Sequence, residues 1–92
     1  TAQSDVFSLG VTLFQLLTGT LPFRSDSIPG LMQKIAIERH PPLDVVRPDL
    51  PDCLAAIVDR ALEKDPARRY ASGAEMAQAL RDCGQGIDPA LR

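Results

Sequence analysis

Residues Ser4 to Gly19 read SDVFSLGVTLFQLLTG, and no other stretch restricts the possible folds of this chain so strongly. Polar residues recur at Ser4, Ser8, Thr12 and Gln15, one per helical turn on a single stripe, and Val, Phe and Leu fill most positions between them. The pattern predicts a helix that is apolar around most of its circumference. A surface helix buries about one face, whereas a helix apolar nearly all round belongs at the centre of a larger body. A chain of 92 residues makes one small domain, hiding only about 60–70% of its unfolded surface, and has little material to wrap around a central helix.

Composition narrows the fold class. Hydrophobic residues make up 45% of the chain but aromatics only 4%, so the core must be built from Leu, Ile, Val, Ala and Met, which favours helices over a sandwich. A net charge of −2, with no block of like charge, gives the surface nothing to draw it toward nucleic acid or anionic lipid. The two cysteines, Cys53 and Cys83, have no metal-site spacing and read as free, reduced thiols of a cytoplasmic protein. The apolar run from Val6 is shorter than a membrane span and is interrupted by Ser8, Thr12 and Gln15. No signal peptide is visible, and an opening Thr1 in place of Met reads as a cut.

Four helices are expected, giving an all-α fold. Thr1 or Ser4 caps the first, Asp5 lies in its positive first turn, and Gly19 ends it in a left-handed conformation. Ser27 or Asp26 caps a second helix with Pro29 in its first turn and Ile28, Leu31, Met32, Ile35 and Arg39 on one face. Pro41, Pro42 and Pro48 predict an extended run from His40 to Leu50. Pro51 opens a third helix whose Leu54, Ile57, Val58, Ala61 and Leu62 repeat at helical spacing, ending near Lys64-Asp65-Pro66. Ser72 and Glu75 form a capping box for a fourth helix with Met76, Ala79, Leu80 and Cys83 on its apolar stripe. Gly84 and Gly86 are expected to end it, leaving residues 84–92 as a tail of the single partial domain 1–92.

Catalytic chemistry is nearly absent. His40 is the single histidine, sits in a proline-rich segment and reads as a solvated loop residue with no nucleophile to serve. Gly84-Gln85-Gly86 begins like a phosphate loop, but no strand precedes it. Glu63 and Asp65 read as a solvated helix end.

Motifs add what composition lacks. SDVFSLGVTLFQLLTGTLPF resembles the central large-lobe helix of eukaryotic-like Ser/Thr protein kinases, in a style closer to bacterial members, and ALEKDPARRYASGAEMAQAL resembles the last two helices of that lobe. The intervening SIPGLMQKIAIERHPPL resembles the helix and proline-rich connection between them, so the resemblance runs from Ser4 to about Leu80. It implies the C-terminal part of a kinase large lobe. The Gly-rich loop, HRD, DFG and APE segments that position phosphate, base and Mg²⁺ do not occur in the chain, so no residue here is expected to be catalytic or to bind a metal. ATP and Mg²⁺ belong to the parent kinase, and this chain by itself is expected to be structural.

The resemblance also assigns roles. Asp5 matches the carboxylate that holds the catalytic loop through its backbone; without the resemblance it reads as a first-turn acid complementing the helix dipole. Arg69 matches the Arg that anchors the activation segment by pairing with the Glu of APE, and with that Glu absent its loss is expected to matter little in this chain. Thr12 and Leu16 match the apolar column below the adenine, Thr12 being more polar than the usual residue. Gln15 stands where many members have a substrate-reading Glu, and loses that charge. Ile37, off the apolar stripe of the second helix, is a candidate contact for protein substrates or regulators. The expected partners are the remainder of the kinase domain, docked substrates or regulators and, because the first helix has more apolar surface than three short helices cover, a second copy of the chain. The rival reading is a non-catalytic helical interaction module or a pseudokinase remnant.

Overall fold

The computed structural model describes residues 1–87, which form helices joined by turns and loops, with no strand among them. Helix α1 spans Ala2–Thr18, α2 Ile28–Ile37, α3 Leu43–Val46, α4 Asp52–Ala61 and α5 Gly73–Ile87, with a 3₁₀ turn at Pro66–Arg68. The all-α class is borne out, with one short helix more than the sequence reading foresaw.

The caps follow the local chemistry. Thr1 Oγ1 accepts from the Ser4 amide at 3.1 Å, and Gly19 closes α1 at φ 77°, a conformation that suits glycine. Ser27 Oγ accepts from Gly30 N, and Ser72 Oγ from Glu75 N. The return half of the Ser72–Glu75 box is replaced: Glu75 Oε1 turns instead to the Arg60 guanidinium at 3.3 Å.

The centre of the molecule is α4, which packs on α1, α3 and α5 and buries Ala55, Ile57, Val58 and Ala61. One side of it joins Val6, Tyr70, Met76 and Cys83; the other joins Phe14 and Leu43. The apolar surface of α1 is only partly covered, as expected with three short helices to cover it, and only Val6, Gly10 and Phe14 are buried. Principal extents of 45 × 28 × 16 Å explain this. A depth of 16 Å holds little more than one layer of helices about 10 Å across, so α1 is covered on one side. At the buried seam a Cβ on Gly10 would stand 2.8 Å from Ala61 Cβ, so the missing side chain is what lets α1 and α4 approach.

Four expectations change. The run from His40 to Leu50 is not wholly extended: Pro42 heads α3, where proline needs no amide partner, and Leu43 is drawn fully into the core. Arg47 then donates to the Leu17 carbonyl at the end of α1 and pairs with Asp49 at 2.7 Å, holding that carboxyl at about 2. His40 is not solvated. It is 8% exposed, lies 2.7 Å from Asp59 Oδ1 through Nε2, and sets its ring edge-on to Phe14. Gly84 and Gly86 do not end α5, since neither takes a positive φ and the helix continues to Ile87; the rest of the expected tail, 88–92, lies outside the described residues. Finally, Cys53 and Cys83 are disulfide-bonded rather than free, because α4 and α5 bring their Cα atoms to 5.8 Å, within the range a disulfide spans.

Candidate functional site

The exposed side of α1 carries the features that core packing leaves unused. Along one flank, Leu9, Thr12, Leu13 and Leu16 face Gly73, Met76, Ala77 and Leu80 of α5 across an apolar groove of about 290 Å³. Leu16 is 76% exposed and Leu9 48%, values unusual for leucines on a helix with so strong an apolar pattern. Thr12 and Leu16, one turn apart on α1, both line this groove, together with Leu9, Met76 and Leu80. Thr12 Oγ1 donates to the Ser8 carbonyl at 3.1 Å, which satisfies its hydroxyl on its own helix.

On the opposite flank, a wider depression of about 580 Å³ is lined by Ser4, Phe7, Ser8, Val11, Thr12, Ile35 and Arg69. Arg69 is the one charged residue of that lining. Its Nε donates to the Glu63 carbonyl at 2.7 Å, Nη1 to Gln3 O at 3.1 Å and Nη2 to Lys64 O at 3.4 Å, and the guanidinium lies 4.7 Å from the centre of the Phe7 ring. The expectation that Arg69 idles in this chain is thus corrected: backbone carbonyls, which a sequence reading for acids does not consider, already engage three of its N–H groups. Its other two N–H groups make no hydrogen bond among the described residues.

Asp5 sits in the first turn of α1, exposed, and its carboxylate makes no hydrogen bond among the described residues. Gln15 is exposed on α1 and Ile37 is 70% exposed on α2. Among the described residues no hydrogen bond or salt bridge involves the side chains of Asp5 or Gln15, and Ile37 lies on a different helix.

The α2 helix itself buries no residue; Ile28 and Met32 are 76% and 66% exposed. It is moored by two lysines. Lys34 Nζ donates to Arg24 O at 2.6 Å, and Lys64 Nζ reaches the Ile35 carbonyl at 2.7 Å while lying 4.2 Å over the buried Phe23 ring. Burial, with Arg69 nearby, lowers the Lys64 ammonium from its ordinary value. Glu63 and Asp65, read as a solvated end, serve the backbone: Glu63 through its carbonyl to Arg69, Asp65 by capping the 3₁₀ turn from Ala67 N at 3.0 Å.

No protein-family model matches the chain. It is similar to the serine/threonine-protein kinase pkn3 of Myxococcus xanthus, 40% identical over 98% of this chain and 16% of that protein. The serine/threonine-protein kinase PksC of Streptomyces coelicolor is 41% identical over 88% of the chain and 14% of its own length, and PknH of Mycobacterium tuberculosis is 33% identical over 89% and 13%. The chain spans about a sixth or less of these relatives. The resemblance read from the motifs is borne out: nearly the whole chain is similar to a segment of bacterial Ser/Thr protein kinases.

Proposed function

We propose that this chain is the C-terminal helical part of the catalytic domain of a Ser/Thr protein kinase, and that its role is to support and dock rather than to catalyse. The observation that carries this reading is the 40% identity to a named Ser/Thr kinase along 98% of the chain. The geometry supports it. An exposed α1 edge with an apolar groove on one flank and a depression lined in part by Arg69 on the other is the form expected of a scaffold awaiting the rest of its domain.

In this reading the parent transfers the γ-phosphate of ATP, with Mg²⁺, to protein hydroxyls, and no residue of this chain holds either group. Asp5 holds the catalytic loop by accepting from its backbone amides, Thr12 and Leu16 continue the apolar column below the adenine, and Arg69 offers its remaining N–H groups to the activation-segment carboxylate. Gln15 and the α2 face with Ile37 meet protein substrates or regulators. The parent segment works in the cytoplasm; no helix among the described residues is long and apolar enough to cross a membrane. Separated from the parent, the chain covers its α1 edge with a second copy of itself.

The test uses both forms. Isothermal titration of the 92-residue chain with Mg·ATP should show no saturable binding, whereas the reading frame extended upstream should transfer phosphate and lose turnover, not nucleotide affinity, on Asp5→Asn. Micromolar Mg·ATP binding by the chain alone would overturn the placing of the nucleotide site outside it, and an extended protein with no transferase activity would favour the non-catalytic module.

A further inference from the structure

The bond between Cys53 and Cys83 joins an exposed cysteine to a largely buried one. Cys53 lies in the exposed first turn of α4, next to Asp52 and at an N-terminus with no side-chain cap. Cys83 is 8% exposed and belongs to the core cluster of Val6, Ile57, Tyr70 and Met76. Beside the bond lies an open depression of about 580 Å³ whose lining includes Cys53, Ala56, Ala79, Asp82 and Cys83. That is room for a small thiol, and the carboxylates of Asp82 and the neighbouring Asp52 favour a cationic one.

We propose that Cys53–Cys83 is a thiol–disulfide exchange site, with Cys53 the accessible sulfur and Cys83 the resolving one, and that small-molecule disulfides and thiols set through it how firmly α5 is held to α4. Closing proceeds in two displacements. The Cys53 thiolate attacks one sulfur of a small disulfide, forming a mixed disulfide and releasing one small thiol. Cys83, giving its proton to solvent, then attacks the Cys53 sulfur and releases the second. Two protein thiols are oxidised and one small disulfide is reduced to two thiols. Opening is the reverse. In a reducing cytoplasm the pair stands open, and α5 is held by Met76, Ala79 and Leu80; an oxidising shift closes it.

Cystamine, a cationic disulfide, is the probe. Reduced wild-type chain exposed to it should end as the internally bonded form, lighter by two hydrogens and carrying no adduct by intact mass. The Cys83→Ala chain should hold one cysteamine on Cys53, and Cys53→Ala should stay unmodified over the same time because Cys83 is shielded. The melting midpoint of the wild-type chain should fall by roughly 10 °C on reduction. Adducts accumulating on Cys83, a wild-type chain that keeps both thiols in cystamine, or identical midpoints for its reduced and oxidised forms would overturn the proposal, and the last two need no variant to fold.

Discussion

The guanidinium of Arg69 donates to the main-chain carbonyl of Gln3 at 3.1 Å, joining residues 66 positions apart and tying the start of α1 to the turn between α4 and α5. Because Nε and Nη2 hold the carbonyls of Glu63 and Lys64 at the same time, one side chain fixes the entry angle of α1 against that turn. The planar fork matters here as much as the charge, since lysine has no rigid array of donors to span the three acceptors.

Arg69→Ala should therefore destabilise this chain by about 2 kcal/mol, the loss of several charge-assisted bonds at a half-buried site, and Arg69→Lys should recover less than half of that. Urea denaturation followed by circular dichroism measures both. A midpoint unchanged in the alanine variant would show that the three carbonyls are equally well served by water.

Gly10→Ala should also be destabilising, by about 1–2 kcal/mol, although alanine is the better helix former by about 1 kcal/mol. The added methyl meets Ala61 Cβ at 2.8 Å, an atom with no rotamer to escape into, so α1 and α4 must separate along their seam. Equilibrium unfolding of the variant checks the sign, which propensity alone would reverse.

Removing the His40 ring should be felt in the second core cluster. His40→Ala deletes the 2.7 Å bond to Asp59 and the edge contact with Phe14, at a cost of about 2–3 kcal/mol. Asp59→Asn keeps a polar partner, and since Asp59 is 43% exposed it should cost under about 1 kcal/mol. Thermal melts of the two variants should separate clearly, and equal melts would mean the ring contributes no packing.

Tyr70 makes stability fall in alkali. Burial pushes its phenol above the ordinary value, with the Arg60 guanidinium, 4.2 Å over the ring, opposing the shift. The folded state therefore binds more protons than the unfolded one above about pH 10, so this contribution is complete below that pH and is lost as pH rises through the folded value. The lowered ammonium of Lys64 acts the opposite way in the same range, because the folded state releases that proton first. The two are separable by spectroscopy: the chain has one tyrosine and no tryptophan, so the phenolate absorbance of the folded chain should titrate above that of the urea-unfolded chain.

Self-association should follow the exposed edge of α1. With Leu9 48% and Leu16 76% exposed beside an apolar groove, light scattering at tens of micromolar should give more than the monomer mass, and Leu16→Lys should return it toward the monomer. A well-folded monomer in both cases would mean the groove stays wet without penalty.

What the sequence determined by itself is local. Helical spacing in Leu54, Ile57, Val58, Ala61 and Leu62, hydroxyls at Thr1, Ser27 and Ser72, and a glycine at Gly19 sufficed for the four long helices and their caps, because periodicity and capping act within a turn or two of chain. The kinase-like motifs were legible for the same reason, each being a contiguous run. The tertiary structure decided which side of α1 is covered, and it alone set Arg69 on Gln3, His40 on Asp59, Cys53 on Cys83 and Gly10 against Ala61. Those pairs are 19 to 66 positions apart, and their distances depend on how the helices cross. A helical period says which face of a helix is apolar; what that face meets depends on the number of neighbours and their angles, and a molecule 16 Å deep has too few to enclose its first helix.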